Sequence, residues 1–203
     1  MNLKNFIGFL SVPFLRLANV KKGLSILIFH HVDDKLFNKF NSLITKLQDQ
    51  MDFIDPLDLE ILIKSKKKIK RKKVLLTFDD GFFSNYNIAK TFLKPLHIKA
   101  LFFVNPVFIK CEKKSDIKRF VEDNLLNPDL FKLDPDIKPM NYSNLTDLLN
   151  DGHSIGSHTL SHQRLSGINS SESLTKEIID SKLELEKKLN TTIDHFAYPF
   201  GDI

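Results

Sequence analysis

The sequence predicts an α/β fold in which strands alternate with helices and the strands form a parallel sheet, either open or closed into a barrel. Three short apolar runs have the composition of buried strands: Leu24–Phe29, Val74–Phe78 and Ala100–Val104. Helix-like segments separate them. With 203 residues, the chain is long enough for one sizeable core and is most simply interpreted as one domain.

Helices are predicted where apolar residues recur at helical spacing or where a polar turn follows a short periodic run. The predicted helical segments are residues 40–51, 86–96, 144–150 and 174–189. Asn169 and Glu172 resemble a capping box before the last of them. A brief strand is predicted at Ser154–Ser157, and a final strand is expected to start near His195.

Two regions depart from this alternation. Residues from about 105 to 140 contain several prolines and many charges, and we expect an insertion there, with a short helix near Ile117–Leu126. Residues 1–23 form an apolar segment that is interrupted by Pro13 and Arg16 and is too short for a transmembrane helix. No clean cleavage site of small residues follows it, so a cytoplasmic or membrane-associated location is favoured over export. The domain proper is expected at residues 24–203.

Charge and cysteine content restrict the function classes. The formal net charge is +5, and most of the excess lies in one basic run, residues 66–73. This run could attract anionic lipid, which keeps peripheral membrane contact open, or it could be a solvated loop before a strand. It contains no aromatic residue that would stack on bases, so no nucleic-acid partner is expected. A single cysteine, Cys111, excludes an internal disulfide framework and a cysteine-based zinc cluster.

The second predicted strand ends in two adjacent carboxylates, Asp79 and Asp80, followed by Gly81. Two like charges packed together are unfavourable unless they share a cation or a proton, and the glycine allows a sharp turn. The functional interpretation is that one carboxylate binds a metal while the other acts as a base. The alternative is a simple Asp-Gly turn after a strand.

Two further clusters are notable. His158 and His162 are four residues apart, the spacing at which two histidines on one helical turn face the same way and bind a divalent metal. Histidine combined with aspartate suits zinc and neighbouring transition metals better than magnesium. Residues 196–201 form an aromatic strand followed by a turn, which by itself indicates only a core strand. For His158 and His162, the alternative interpretation is two surface histidines in a polar loop.

Taken together, the order and spacing of these clusters resemble the polysaccharide deacetylase family, also called the NodB-homology domain or carbohydrate esterase family 4. The family motif T-F-D-D-G is matched at Thr77–Gly81, and H-[ST]-x-x-H is matched at His158–His162. The third motif, R-x-P-[YF], is matched in part by Pro199 and Phe200. An early segment, Phe29–Val32, is similar to the Y-H-x-V entry of one branch of the family.

The resemblance implies a deformed (β/α) barrel, incomplete at its C-terminus, and a metal site. By matching position, Asp80, His158 and His162 would hold a divalent metal, commonly zinc, and Asp79 would be the general base. Three protein ligands would leave coordination positions open for water and a substrate oxygen, as catalytic zinc requires.

The implied activity is hydrolysis of a carbon–nitrogen bond that is not a peptide bond. A metal-dependent enzyme of this family would remove N-acetyl groups from amino sugars of a polysaccharide or a lipid-linked glycan. Tyr198, Pro199 and Phe200 would contact the substrate, and a backbone N–H near Phe200 would stabilise the oxyanion. The acetylated glycan is therefore the expected partner, and the sequence leaves the oligomeric state open.

The sequence departs from the family pattern at two points. The arginine of the third motif aligns with Ala197, which we interpret as a subtype. The family's fourth motif and its fifth motif, which supplies a histidine as general acid, do not follow before Ile203, so we expect a partial chain or a partner that completes the barrel. His30 and His31 are expected to be structural more readily than catalytic. The same expectation, structural or surface, applies to His97, His153 and His195.

Two other functions remain as alternatives. The first is a catalytically impaired domain that binds metal and glycan, which the absent late motifs favour and the retained Asp79 disfavours. The second is a binder of membrane surfaces or anionic polymers that uses the basic run, and its binding would weaken at moderate salt without any requirement for metal.

Overall fold

A computed structural model describes residues 23–65, 69–125 and 129–201. Its sheet has five strands, all pairing in parallel, in the order β1-β3-β4-β5, with β2 pairing beside β3. The strands are β1 (Gly23–Phe29), β2 (Asp52–Phe53), β3 (Lys72–Phe78), β4 (Ala100–Val104) and β5 (Ser154–Ser157). The prediction of an α/β fold with a parallel sheet is confirmed.

Helices lie between successive strands and after the last one. They are α1 (Phe37–Gln48), α2 (Pro56–Ser65), α3 (Phe83–Ile88), α4 (Pro106–Ile109), α5 (Lys114–Asn124), α6 (Leu130–Leu133), α7 (Tyr142–Asn150), α8 (Ser171–Thr175) and α9 (Ser181–Leu189). Two π-helical turns extend this set: Ala89–Leu93 continues α3, and Lys176–Asp180 joins α8 to α9. Short 3₁₀ turns lie at Asp34–Leu36, Leu165–Gly167 and Pro199–Gly201.

The strand register brings four chain segments to one edge of the sheet. Phe29 of β1 pairs with Phe78 of β3, Phe78 pairs with Phe102 of β4, and Val104 of β4 pairs with Ser157 of β5. Because the strands are parallel, the residues that follow their carboxyl ends lie side by side. The carboxylates after β3 and the first histidine after β5 therefore reach the same edge.

Four phenylalanines pack together within the largely aliphatic core between the sheet and its covering helices. The Phe78 ring stacks on Phe102 with centroids 5.0 Å apart and on Phe29 at 5.4 Å. Phe40 of α1 meets Phe29 edge-on at 5.1 Å. All four side chains are buried. Pairs in these geometries contribute about 0.5–1.5 kcal/mol each beyond their buried area. They therefore stabilise the carboxyl end of β3, which the two carboxylates follow.

The segment around residues 105–140 forms a small second core beside the sheet. Helices α4, α5 and α6 pack Phe82, Phe108, Phe120 and Phe131 together, and Phe108 stacks on Phe120 with centroids 4.7 Å apart. The boundaries of an insertion here stay a prediction. The helix expected at Ile117–Leu126 is present as α5.

Several local predictions were wrong. The cap of α8 is Ser170, whose hydroxyl accepts from the Ser173 N–H at 3.3 Å, so the capping box expected at Asn169 and Glu172 does not form. The strand expected near His195 is reduced to one bridge between Ser157 and Phe196. Helix α2 was missed because its exposed Leu57 and Ile61 do not mark a buried face.

Within the described residues, the sheet does not close into a complete barrel. Strand β1 pairs only with β3, and Ile26 and Ile28 on one of its faces are 52% and 47% exposed. The predicted apolar segment, residues 1–23, lies outside the described residues except for Gly23, and so do Lys66–Lys68 of the basic run. Among the described helices, none combines the length and hydropathy that a membrane crossing needs.

Candidate metal centre

The chain turns sharply after β3, and this turn fixes the two carboxylates. The Asp79 N–H still donates to the Phe29 carbonyl at 2.8 Å, which extends the ladder between β3 and β1 by one bond. Asp80 and Gly81 then adopt positive φ angles of 71° and 86°. A left-handed conformation is unfavourable for a residue with a side chain and persists where the surroundings enforce it. Both carboxylates are buried.

The segment that carries the histidines is a strained loop rather than the helical turn that the sequence predicted. It follows β5, and Thr159 and His162 both have a φ of 64°. The Thr159 hydroxyl accepts from the His162 N–H at 3.0 Å, and the Asn105 amide donates to the carbonyls of His158 and Thr159. The loop brings the two imidazole rings to a centroid distance of 4.8 Å.

Asp80, His158 and His162 converge. One potential ligand atom from each lies within 4.8 Å of the other two, and all three residues are buried. Nε2 of His162 lies 3.2 Å from Oδ1 of Asp80, and Nε2 of His158 lies 3.6 Å from the same oxygen. These are the three residues to which the sequence assigned metal binding.

Backbone carbonyls orient both imidazoles. Nδ1 of His158 lies 2.9 Å from the Ala197 carbonyl oxygen, and Nδ1 of His162 lies 2.7 Å from the Asn124 carbonyl oxygen. A carbonyl only accepts, so each Nδ1 carries a hydrogen and each Nε2 is left facing Asp80. Hydrogen bonds of this kind fix the tautomer and the orientation of metal-binding histidines.

The electrostatics of the site suit a cation. Burial raises the pKa of Asp79 well above its usual value, and the neighbouring Asp80 raises it further. Burial acts to raise the pKa of Asp80 too, but its contact with His162 and the charges of nearby histidines outweigh it, so that the pKa is lowered. Burial lowers the pKa of His158 to about 4, which keeps its imidazole neutral at neutral pH.

A divalent metal fits this donor set. Oδ1 of Asp79 and Oδ1 of Asp80 are buried and have no hydrogen-bond partner within the described residues. Two imidazole nitrogens and one carboxylate oxygen point into the same buried space, an arrangement that a bound cation would stabilise. Two histidines and one aspartate match a zinc site that keeps positions open for water and substrate.

The third cluster lies against the histidines. The Phe200 ring packs edge-on against His162 with centroids 4.9 Å apart, and the Arg164 guanidinium lies 4.3 Å above the Phe200 ring. Phe200 has a φ of 61°. Pro199 is buried, whereas Tyr198 is 45% exposed. Of the three residues Tyr198, Pro199 and Phe200, Phe200 thus lies directly against a site histidine, and the contact of all three with substrate stays a prediction.

His30 and His31 have different surroundings. His31 is tied down, because its Nδ1 lies 3.0 Å from the Ser84 hydroxyl and its Nε2 lies 2.9 Å from Asp134. His30 directly follows β1 at the edge that carries the carboxylates. Burial has the largest effect on the pKa of both Asp80 and His158, but a charge on His30 acts to lower both values. His30 is therefore within electrostatic reach of the metal site.

Sequence reasoning missed the residues that support the site. The Asn124 carbonyl could not have been found, because a backbone oxygen leaves no mark in a sequence. Glu177 and Ser181 left a signal: both interrupt the otherwise apolar face of the predicted helix 174–189, and both are buried. A buried polar residue on an apolar face is informative where an exposed apolar residue is not.

The comparison with known families agrees with the geometry. The family model described as polysaccharide deacetylase matches residues 66–203, which include all three motifs. The chain belongs to the polysaccharide deacetylase family. Among curated proteins, YxkH of Bacillus subtilis (strain 168) is 25% identical over 148 residues, covering 73% of this chain and 44% of that protein. The chain therefore spans less than half the length of this relative.

Solved structures similar to this polysaccharide deacetylase family member share its fold. The Streptococcus pyogenes deacetylase PplD, solved in complex with acetate, superposes with a TM-score of 0.65 at 23% identity, covering 91% of this chain and 76% of that one. IcaB from Ammonifex degensii gives a TM-score of 0.66 at 20% identity, covering 88% and 75%. The predicted fold, a deformed barrel of the deacetylase type that is incomplete, is confirmed.

Proposed function

We propose that this chain is a metal-dependent hydrolase that removes N-acetyl groups from amino sugars of a polysaccharide or a lipid-linked glycan. The observation that carries the proposal is the convergence of Asp80, His158 and His162 beside the buried Asp79. Family membership supports deacetylation as the reaction. The mixed nitrogen and oxygen donor set supports zinc as the metal.

A bound zinc ion would lower the pKa of a coordinated water to about 7 and polarise the acetyl carbonyl. The protein's own residues would do the rest. Asp79 lies next to Asp80, and its pKa is raised towards neutral pH. A general base is most effective when its pKa is close to the pH at which the enzyme works. Asp79 would take the proton of the attacking water. The new carbon–oxygen bond replaces the carbon–nitrogen bond, acetate leaves, and the sugar amine gains a proton.

His30 is our candidate for the group that protonates the departing amine. It directly follows Phe29 at the carboxyl end of β1, and Phe29 pairs with Phe78, the residue before Asp79. The sequence alone favours a structural role for His30, whereas its position in the fold favours a catalytic one. Phe200, with Tyr198 and Pro199 before it, would contact the acetyl group and supply an N–H to the oxyanion.

The decisive test measures bound metal and released acetate together. Purified chain would be loaded with zinc and incubated with N-acetylated oligosaccharides, beside His158→Ala and a control, His97→Asn, which changes an exposed histidine. We expect one metal per chain and acetate release in the parent and the control, and loss of both in His158→Ala. Absence of metal from the parent chain would refute the proposal.

The same experiment separates the alternative function. A catalytically impaired domain would bind one metal and retain N-acetylated oligosaccharide without releasing acetate. Within the described residues, β1 pairs only with β3 and its Ile26 and Ile28 are exposed, which favours this alternative because an open sheet can leave the substrate pocket incomplete. Metal binding without release of acetate or another acyl group would decide for it.

A further inference from the structure

Two polar contacts join the histidine-bearing loop to the helical segment 176–189. The Ser157 and Ser181 hydroxyls lie 2.8 Å apart, and the Ser161 hydroxyl lies 2.7 Å from the Glu177 carboxylate. The partners are four residues apart on the loop and four apart on the helix. Each anchored serine directly precedes one of the two histidines of the metal site.

Glu177 makes the denser of these two contacts. One carboxylate oxygen accepts from the Ser161 N–H at 3.0 Å, and the other accepts from the Ser161 hydroxyl. The Glu177 carbonyl also accepts from the Leu160 N–H at 2.9 Å. The side chain is buried. Burying a carboxylate is unfavourable unless its oxygens accept hydrogen bonds. Glu177 therefore does more at this position than fill space: its carboxylate holds Ser161.

The helix changes from α-helical to π-helical geometry at Glu177. Residues Lys176–Asp180 form a π-helical turn, and the Ser181 N–H donates to the Ile178 carbonyl. The Glu177 carbonyl accepts from the Leu160 N–H of the loop. Single π turns inside α-helices occur mostly at functional sites. At this turn, the carbonyl and the side chain of Glu177 accept hydrogen bonds from two consecutive N–H groups of the loop, those of Leu160 and Ser161.

The loop needs such support because it is strained. Thr159 and His162, on either side of Leu160 and Ser161, both have positive φ angles. Residues with side chains hold this conformation only when surrounding contacts over-determine it. Glu177 holds the two residues between the strained positions, and Ser181 holds Ser157 at the start of the loop.

We propose that Glu177 is a positioning residue for the metal ligands, acting through Ser161 and assisted by the Ser157–Ser181 contact. It fixes the spacing of His158 and His162 so that both Nε2 atoms face Asp80 before a metal binds. This inference rests on the proposed metal site. It assigns no direct contact between Glu177 and the metal.

The expected effects follow from the hydrogen bonds. Glu177→Ala removes both side-chain bonds to Ser161 and should weaken metal affinity by about 10- to 100-fold, as loss of supporting hydrogen bonds does at other metal sites. Glu177→Gln should restore most of the affinity, because its amide can accept from the Ser161 N–H and donate to the Ser161 hydroxyl. Glu172→Ala is the matched control: its carboxylate belongs to the same helical run but pairs with Lys176 in solvent.

The test combines a competition titration with zinc, the visible spectrum of the cobalt-substituted protein and the melting temperature of the metal-free protein. A purely structural role would lower the melting temperature of Glu177→Ala and leave the affinity and the cobalt spectrum unchanged, which would overturn the inference. Weaker affinity with an altered spectrum, rescued in Glu177→Gln and absent in Glu172→Ala, would support it.

Ser161→Ala provides a second route if Glu177→Ala does not fold. It removes only the hydroxyl partner and should weaken metal affinity less than removal of the carboxylate, while unchanged affinity and spectrum in this variant would count against the inference. If the parent chain binds no metal, both the proposed function and the inference are wrong. If the parent binds metal and both variants bind it equally well, the inference alone is wrong.

Discussion

Nε2 of His162 lies 3.2 Å from Oδ1 of Asp80, while Nδ1 of the same ring is held 2.7 Å from the Asn124 carbonyl. The ring is therefore oriented before any metal arrives. The carbonyl at the end of a helix from the small second core holds Nδ1, and this turns Nε2 towards the carboxylate that follows β3. This relationship makes metal affinity the property most directly linked to the geometry.

Removing the metal should destabilise the chain. A ligand that binds only the folded state adds about 2.7 kcal/mol at a free concentration one hundred times its Kd. We expect a chelator to lower the melting temperature of the zinc-loaded parent and to leave that of Asp80→Asn unchanged. Scanning calorimetry with and without chelator checks this. An equal effect of chelator on both proteins would contradict the assignment of Asp80 as a ligand.

Asp79→Asn should separate metal binding from chemistry. The amide keeps the shape of the side chain but cannot take a proton, so we expect bound zinc to stay near one per chain while kcat falls by about 10²- to 10⁴-fold. Metal analysis and an acetate assay on the same sample are sufficient. Loss of zinc along with activity would instead make Asp79 a ligand.

His30→Gln tests the proposed acid. We expect zinc binding to persist and kcat to fall by about 10²- to 10⁴-fold. His31→Gln is the companion variant, because His31 contacts Ser84 and Asp134 rather than the metal site. An unchanged kcat in His30→Gln would remove this residue from the mechanism.

His153 should make stability depend on pH. Burial, together with nearby Lys99, lowers its pKa to about 4, below the value of about 6.5 expected in the unfolded chain. Between these values the unfolded state binds more protons, so stability is full above pH 6.5 and falls as the pH drops towards 4, by up to about 3 kcal/mol.

Urea unfolding of the metal-free protein at several pH values checks the role of His153. His153→Asn is the comparison, because its side-chain oxygen can accept the Ala100 N–H that Nδ1 accepts at 3.1 Å, yet it does not titrate. The pH dependence should be shallower in the variant. His158, whose pKa is also lowered, contributes equally to both proteins and cancels. Identical slopes would exclude His153 as a source of the dependence.

Gly156→Ala should be destabilising. A β-carbon at this position would lie 2.6 Å from the Phe103 ring and 3.1 Å from the β-carbon of His195, so the Phe103 ring would have to move and the backbone at His195 would have to give way slightly. We expect a loss of about 1–3 kcal/mol in the free energy of unfolding. Gly167→Ala, which meets no atom within 4 Å, should change stability by less than about 0.5 kcal/mol. Similar values for both would contradict the close approach.

Much of the fold was predictable because its signals are local. The runs that became β3 and β4 are continuous and apolar, and a strand buried on both faces has that composition wherever it occurs. The run that became β1 is equally apolar, although Ile26 and Ile28 are exposed within the described residues. Helix α2 and the short β2 escaped prediction because neither has a one-sided apolar pattern. The strand expected after His195 is only a bridge, since strand pairing depends on neighbours that a local pattern does not specify.

The sequence by itself determined which residue types could carry chemistry: paired carboxylates after a strand, two histidines four apart, and an aromatic turn. The tertiary structure alone decided how they meet. Parallel register brought the carboxylates and His158 to one edge, left-handed residues turned His162 inward, and Asn124 and Glu177 fixed the histidine-bearing loop. These contacts join residues far apart in sequence, often through backbone atoms common to every amino acid, so no local pattern could reveal them.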